Sequence, residues 1–315
     1  MQALLTQDQE LVAETAARLA KGGLARSRAM LNGIEPIDGP TTELIQGWSG
    51  LGVAEELGGA GGSAVEAVLL VHALGEAAEP GPFLGHFHAV HALVGAGIAD
   101  QLLVSGRTAA LVDASGVAPD RSASLMVEHD CDRWILSEVA EWTPTRSLDP
   151  ARKAGRATRG AVIAEGADTH NGLSRVQVLL AAEACGVGRG AIRIASDYAR
   201  TREQFGKPIG SYQAIGHRLA QATADLEAAW SLTLHAAWAL TDAPELAVRS
   251  AHMAKAAAGD AAVFACEACV QTHGGMGITR EADPHLYLKR AFAVDASWGR
   301  AADLNRRIGD SLLVD

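Results

Sequence analysis

Four groups of residues in this 315-residue chain have types and spacings that chemistry could use. Cys266 and Cys269 form a C-x-x-C, the spacing of half a zinc site or of a redox pair. No second cysteine pair stands at zinc-site spacing, and the preceding Ala261-Ala262-Val263-Phe264-Ala265 reads as the apolar middle of a helix. Small buried packing residues are therefore expected there, and reduced thiols at these two, Cys131 and Cys185. His86, His88 and His91 could ligate a metal, but steps of two and then three suit neither one strand nor one helix face, and no carboxylate recurs beside them. They read as a solvated loop cluster. Gly58, Gly59, Gly61 and Gly62 make a Gly-rich loop, yet neither the strand nor the Lys-Ser/Thr of a phosphate cradle accompanies it. The fourth group is the least ordinary: Arg200 and Arg202 close a helix, with Gln204 and Phe205 just beyond.

That fourth group lies between two long apolar stripes. Val176, Leu179, Leu180, Val187, Ala191, Ile194 and Tyr198 recur at three- and four-residue steps, and Tyr212, Ile215, Leu219, Ala222, Leu226, Trp230, Thr233 and Trp238 continue the rhythm. Between them, Gly206 permits a helix end, Pro208 forbids continuation and Ser211 can cap the next helix. From Ser174 onward the pattern predicts four long helical stretches joined by loops at 205–211, 242–244 and 273–284, an antiparallel four-helix bundle.

Upstream, Thr6-Gln7-Asp8-Gln9 and Ser63-Ala64-Val65-Glu66 have the form of capping boxes opening amphipathic helices, with a further helix around Leu44–Trp48. Pro80 and Pro82 end the helix that starts at Ser63. Between about Asp100 and Asn171 the texture changes to short β-prone runs at 109–112, 124–127, 133–136 and 161–164. The expected architecture is α+β but mainly α. It comprises an N-terminal helical domain (1–100), a reduced central β-domain (101–171) and a C-terminal four-helix bundle (172–315).

The formal net charge of −10 argues against a nucleic-acid surface, because phosphate binding needs a basic field. Met1–Asp8 lacks the basic and apolar regions of a signal peptide. The most apolar region, 65–98, is broken by Glu66, His72, Glu76, Glu79 and two prolines, which excludes a membrane span. A cytoplasmic protein is expected.

The run R-x-Q-F-G-x-P-I-x-x-Y-Q-x-I-x-H-x-L-A, from Arg202 to Ala220, resembles the central signature of the acyl-CoA dehydrogenases. Gln271-Thr272-His273-Gly274-Gly275-Met276-Gly277 is similar to that family's Q-x-x-G-G-x-G loop, in the right order and at a fitting separation. Gly50–Gly59 is similar to the family's G-L-x-x-x-x-P-E-x-x-G-G turn, with Ala54 where proline is usual. In that family the two bundle loops of one subunit cross an interface and hold the ADP half of a FAD whose ring lies in the neighbour. Carried over, Arg202 would pair with the pyrophosphate, Gln204 and Phe205 would line the channel, and Gln271 would address the adenosine side. Gly274 and Gly275 would admit backbone to the cofactor, and Gln213 is a further candidate.

The resemblance fails where the family's chemistry is done. Removing an α-proton needs a carboxylate base, in most members the Glu of a Y-E-G-T-x-x-[IV]-x-R segment. The matching position here is Trp298, and the alternative position, before an Arg opening the first bundle helix, is Ser174. The family's T-E-P-x-x-G-S-D segment is unrecognisable, and Trp134-Ile135-Leu136-Ser137 is only an echo of its W-I-[ST] segment. Asp295 stands one turn before Trp298, off register for a base, and Glu183 and Glu281 read as helix-polar and loop-terminus residues.

Loops that serve a neighbour's flavin are intact while residues that serve the chain's own chemistry are lost. The resemblance thus implies the base-lacking, non-catalytic chain of a heteromeric, FAD-sharing acyl-CoA dehydrogenase, similar to the two-plus-two enzymes of actinobacterial steroid breakdown. A homologous catalytic subunit is the expected partner, a steroid-derived CoA thioester the expected substrate class, and electron-transfer flavoprotein the expected acceptor. The alternatives are a flavin-free scaffold, or a self-sufficient enzyme with an unusual base such as Asp295.

Overall fold

The computed structural model describes residues 5–34 and 41–313, so that Met1–Leu4, on which part of the leader reading rests, lie outside the described residues. Six helices come first: α1 (Gln7–Ala20), α2 (Gly23–Leu31), α3 (Thr41–Trp48), α4 (Ala64–Glu76), α5 (Phe83–Gly95) and α6 (Ala99–Leu103). Both capping boxes form, Thr6 with Gln9 and Ser63 with Glu66, each satisfying backbone donors that a helix start leaves unpaired. Helix α2 has almost no apolar stripe for periodicity to detect. It is held by small and polar contacts instead: Ser27 Oγ donates to Ala78 O at 2.6 Å, and Arg26 pairs with Glu79.

The histidine cluster is a correction. His86, His88 and His91 lie on α5, and every residue of that helix is buried. A helix wrapped on all sides has no polar face, so its histidines cannot follow one stripe. His86 Nδ1 accepts from Ala109 N at 3.2 Å, and His91 Nε2 contacts Leu51 O at 3.1 Å. Burial pushes the three imidazoles down, to about 4, about 4 and about 3 respectively, so they are neutral.

A five-stranded sheet follows: β1 (Ala109–Val112), β2 (Val117–Ala118), β3 (Leu125–Asp130), β4 (Arg133–Pro144) and β5 (Gly155–Ala167), in the order β1-β3-β4-β5-β2. β1 runs parallel to β3, and the other pairs are antiparallel. Alternation along the strands places Leu125, Val127, Trp134 and Leu136 in the main core with the helices, while Ala110, Val112 and Met126 make a small second cluster on the other face. The β4–β5 hairpin is bulged on either side of Ser137.

Three helices of nearly equal length then form the body of the bundle: α7 (Gly172–Thr201), α8 (Gln213–Asp242) and α9 (Ala247–His273). The fourth stretch is not one helix but two, α10 (Pro284–Ala296) and α11 (Ala301–Leu313). Trp298 (φ 56°) and Gly299 (φ 118°) turn the chain between them, and the buried Lys255 of α9 fixes the break by donating to Asp295 O at 3.0 Å and Gly299 O at 3.1 Å. Helix α7 meets α4 backbone to backbone. A Cβ added at Gly186 would stand 2.1 Å from His72 O, and one at Gly190 2.3 Å from Glu76 O. Glu183 is a second correction, for it is no solvent-facing helix residue. It is fully buried with Arg152 and Arg290, and Arg290 also pairs with Asp149. Burial alone would raise the Asp149 carboxyl, but Arg290 and Arg152 outweigh it and hold it below its ordinary value.

The result is a mainly helical α+β fold. Among the described residues no helix is long and apolar enough to cross a membrane, and no group of three His, Cys, Asp or Glu could hold a metal. Cys266 and Cys269 are buried, with burial pushing the Cys269 thiol up to about 12.

Candidate cofactor loops and the two ends of helix α7

Helix α7 ends at Thr201, and the chain turns extended at Arg202 rather than at Gly206. A two-residue ladder follows, β6 (Glu203–Gln204) with β7 (Lys207–Pro208), closed by Phe205 (φ 51°) and Gly206 (φ 79°). Two consecutive left-handed residues make the tight hairpin turn that glycine favours at its second position. Ser211 does not cap α8. Its hydroxyl donates back to Pro208 O at 2.7 Å, and Tyr212 stands at the N-cap. Tyr212 braces the hairpin: its hydroxyl donates to Gln204 O at 3.0 Å, Phe205 meets its ring edge-on at 6.4 Å, and Lys207 Nζ lies 4.3 Å from its centroid.

The second loop is a 3-10 turn, Gly274–Ile278, at the end of α9. A Cβ on Gly277 would meet Val270 O at 2.6 Å, whereas Cβ atoms on Gly274 and Gly275 would meet nothing within 4 Å. The first of these glycines locks the turn; the other two present open backbone. Arg280 donates to Leu31 O at 2.8 Å and Arg28 pairs with Asp283, which clamps this loop onto α2.

The two loops meet at one end of the bundle, where Tyr198 stacks on His273 at 4.2 Å with 19° between the rings. Arg202, Gln204, Phe205 and Gln213 are exposed around the first loop, and Gln271, Gly274 and Gly275 around the second. Arg202 has no side-chain hydrogen bond or ion pair among the described residues, and Phe205 is 94% exposed. An unpaired guanidinium at the same end of the bundle as glycine backbone with no side chain in the way suits a diphosphate, which the guanidinium can hold through charge-assisted bonds. Periodicity alone did not single out Tyr198, Tyr212 and His273, because two of them continue helix stripes and the third ends one.

The other end of α7 is built differently. Asp168 accepts from Gly172 N and Leu173 N at 2.6 and 3.0 Å and so starts the helix. Ser174 is buried, and one turn on, Gln177 Nε2 donates to Trp298 O at 2.9 Å, which brings the two base positions to the same place. The Trp298 ring packs against Trp134 at 5.7 Å, and Trp134 is fully buried with no partner for Nε1. The segment read from sequence as an echo therefore supplies a core tryptophan that backs Trp298. Asp295 points elsewhere. Its Oδ1 lies over Gly259, where a Cβ would stand 2.4 Å away, and faces Ala301 N at 3.4 Å at the start of α11. From Ser174 to Arg202 the helix rises roughly 40 Å, so the loops and the base position of one chain are far beyond the span of one dinucleotide.

Residues 167–307 match the family model described as acyl-CoA dehydrogenase, C-terminal domain. Acyl-CoA dehydrogenase IpdE2 of Mycobacterium tuberculosis is 32% identical over 297 residues, covering 90% of this chain and 91% of the relative. Among solved structures, the ChsE4-ChsE5 complex from Mycobacterium tuberculosis superposes with a TM-score of 0.84 at 21% identity, over 100% of both chains. The Tcur3481-Tcur3483 steroid ACAD does so with 0.82 at 22%, over 98% of each. The two structures carry the likeness in fold, IpdE2 carries it in sequence along nearly the whole length, and on these grounds the chain belongs to the acyl-CoA dehydrogenase family.

Proposed function

We propose that this chain is the non-catalytic subunit of a heteromeric, FAD-dependent acyl-CoA dehydrogenase and supplies the ADP half of its partner's flavin site. The observation that carries the reading is the polarity of α7. At its C-terminal end Arg202, Gln204, Phe205, Gln271, Gly274 and Gly275 are exposed and open to a ligand, whereas at its N-terminal end the base positions hold Ser174 and Trp298. A loop pair roughly 40 Å from its own base position can serve only another subunit's chemistry. Asp295 offers no substitute, being turned against α9 and the α11 start.

In this role Arg202 binds the pyrophosphate, Gly274 and Gly275 let the cofactor approach the backbone with no side chain intervening, Gln271 takes the adenosine side, and Gln213 is a further candidate. Gln204 and Phe205 border the channel, and the exposed Phe205 ring is covered when the partner docks. FAD held there would accept the hydride that leaves the β-carbon of a CoA thioester, with the α-proton taken by a carboxylate of the partner. A homologous catalytic subunit as partner accords with the named complexes of the structural neighbours, and a steroid-derived acyl group with the word steroid in the name of one of them. Electron-transfer flavoprotein is the proposed acceptor, and the cytoplasm the proposed location.

The test is Arg202→Ala combined with Gln271→Ala in the assembled complex. Losing one charge-assisted contact of about 1.5–3 kcal/mol weakens FAD binding by roughly 10- to 150-fold, and both side chains are exposed on this chain, so its own fold is unchanged. Unchanged flavin occupancy would instead mark a flavin-free scaffold.

A further inference from the structure

A cavity of about 350 Å³, within the range of small-molecule sites, lies in the groove where α4 and α8 flank α7, and it shares no residue with the candidate flavin loops or the base positions. Three helix faces build it, and glycines let them close in. Gly186 and Gly190 bring α7 against the α4 backbone, and a Cβ on Gly188 would stand 2.5 Å from the Leu226 side chain of α8. The floor is apolar, made by Ile192, Leu226 and the Cys185 thiol, which burial pushes up to about 12 and so keeps neutral. One wall is aromatic. Trp230 of α8 meets His72 of α4 with ring centroids 4.5 Å apart, a contact that joins the two flanking helices. His72 makes no hydrogen bond among the described residues, and a second cavity of about 430 Å³ also lies against it. Burial, with the Arg189 charge second, holds its imidazole at about 4, so the ring is neutral, with one N–H to donate and one nitrogen to accept. The rim carries both signs of charge. Arg189 stands 3.9 Å from Glu76 and 3.5 Å from Glu227, and Arg193 3.6 Å from Glu76. None of these four side chains makes a hydrogen bond among the described residues, so two guanidiniums and two carboxylates line one cavity with their hydrogen-bonding capacity unused.

A simple anion in this cavity would meet Glu76 and Glu227, and a simple cation would meet Arg189 and Arg193, like charges that disfavour either one. A group that carries both charges on one carbon satisfies the whole rim. We propose that the cavity binds a free α-amino acid with an aromatic side chain, its carboxylate on Arg189 and Arg193, its ammonium on Glu76 and Glu227, and its ring against Trp230 and His72. The planar fork of arginine matches a carboxylate, and an aromatic pair contributes beyond the area it buries. A ligand so held touches α4, α7 and α8 together and stabilises the bundle by mass action. The site does not depend on the flavin reading.

Calorimetric titration of the full protein, in complex with its partner where the two co-purify, tests this with three probes that share a ring and differ in charge: L-phenylalanine, hydrocinnamate, which lacks the ammonium, and phenethylamine, which lacks the carboxylate. L-Phenylalanine is expected to fill one site per copy of this chain, roughly 10-fold or more tightly than either analogue, the loss expected for one charge-assisted contact. Arg189→Gln with Arg193→Gln, both exposed, should weaken L-phenylalanine by roughly 10-fold or more without weakening phenethylamine, and flavin content should stay unchanged. Glu227→Gln, also at an exposed position, should narrow the preference for L-phenylalanine over hydrocinnamate. Absence of saturable L-phenylalanine binding at millimolar concentration, equal binding of the three probes, or binding that the arginine replacements do not alter overturns the proposal.

Discussion

Tyr198, three residues before the end of α7, lies flat on His273, the last residue of α9, with ring centroids 4.2 Å apart. His273 is itself anchored, its Nδ1 2.8 Å from Cys269 O. One stacked pair therefore joins the two helix ends from which both candidate cofactor loops depart, so the loops are set relative to each other by side-chain contact and not by chain connectivity.

Replacing either ring should loosen both loops together. An aromatic pair contributes about 0.5–1.5 kcal/mol, so Tyr198→Ala or His273→Ala should weaken flavin binding by the complex roughly 2- to 12-fold. The double variant should be little worse than either single one. Flavin titration of the deflavinated complex measures this, and fully additive losses would mean that the stack does not transmit between the loops.

Trp298 fills a base position without performing base chemistry in the proposed subunit. Its half-buried ring covers Trp134, and Trp298→Ala removes that cover at a cost of roughly 2 kcal/mol. Turnover by the assembled complex should stay within about twofold of wild type. Denaturant midpoints read the first effect and steady-state rates the second. A variant of normal stability whose turnover collapsed would place Trp298 in the chemistry.

Acid should destabilise the fold through α5. His86, His88 and His91 are neutral in the folded chain, held near 4, 4 and 3 by burial, and regain an ordinary value of about 6.5 on unfolding. Below about pH 6.5 the unfolded chain binds more protons, so stability falls as pH drops towards the folded values, by up to ~1.4 kcal/mol per pH unit for each histidine. Asp149 acts in the same direction at lower pH: its carboxyl is depressed in the fold, and the stability it contributes is lost as it is protonated. Urea midpoints at about pH 7.5 and about pH 5.5 should differ accordingly, and His88→Leu should flatten the slope. An unchanged slope would show that the histidines do not control it.

Legibility in the sequence followed the physics of each segment. Helices with one buried face, α8 throughout and α7 in its second half, declare themselves by period, and so do caps with a reciprocal pair such as Thr6 and Gln9. Helix α5 hid its histidines because it is buried all round, and α2 hid altogether because Ser27 and Arg26 hold it where a stripe would. The break at Trp298 was invisible because its cause, Lys255, lies more than forty residues away in the chain. The same distance rule hid the Asp149–Arg290 and Arg152–Glu183 pairs. At the candidate site the polar residues were readable as a motif. Tyr198, Tyr212 and Trp134, which position or back them, were not, because aromatic residues on helix stripes and strands look like ordinary core.

The central claim is that this chain holds half of a flavin site and lends it to another subunit. Flavin absorbance per mole of protein should be measured on the chain purified alone and again after co-expression with a homologous catalytic subunit. The account predicts a colourless protein alone and about one flavin per pair of unlike chains in the complex. A full complement of flavin on the chain by itself, with dehydrogenation of an acyl-CoA in the absence of any partner, would contradict it.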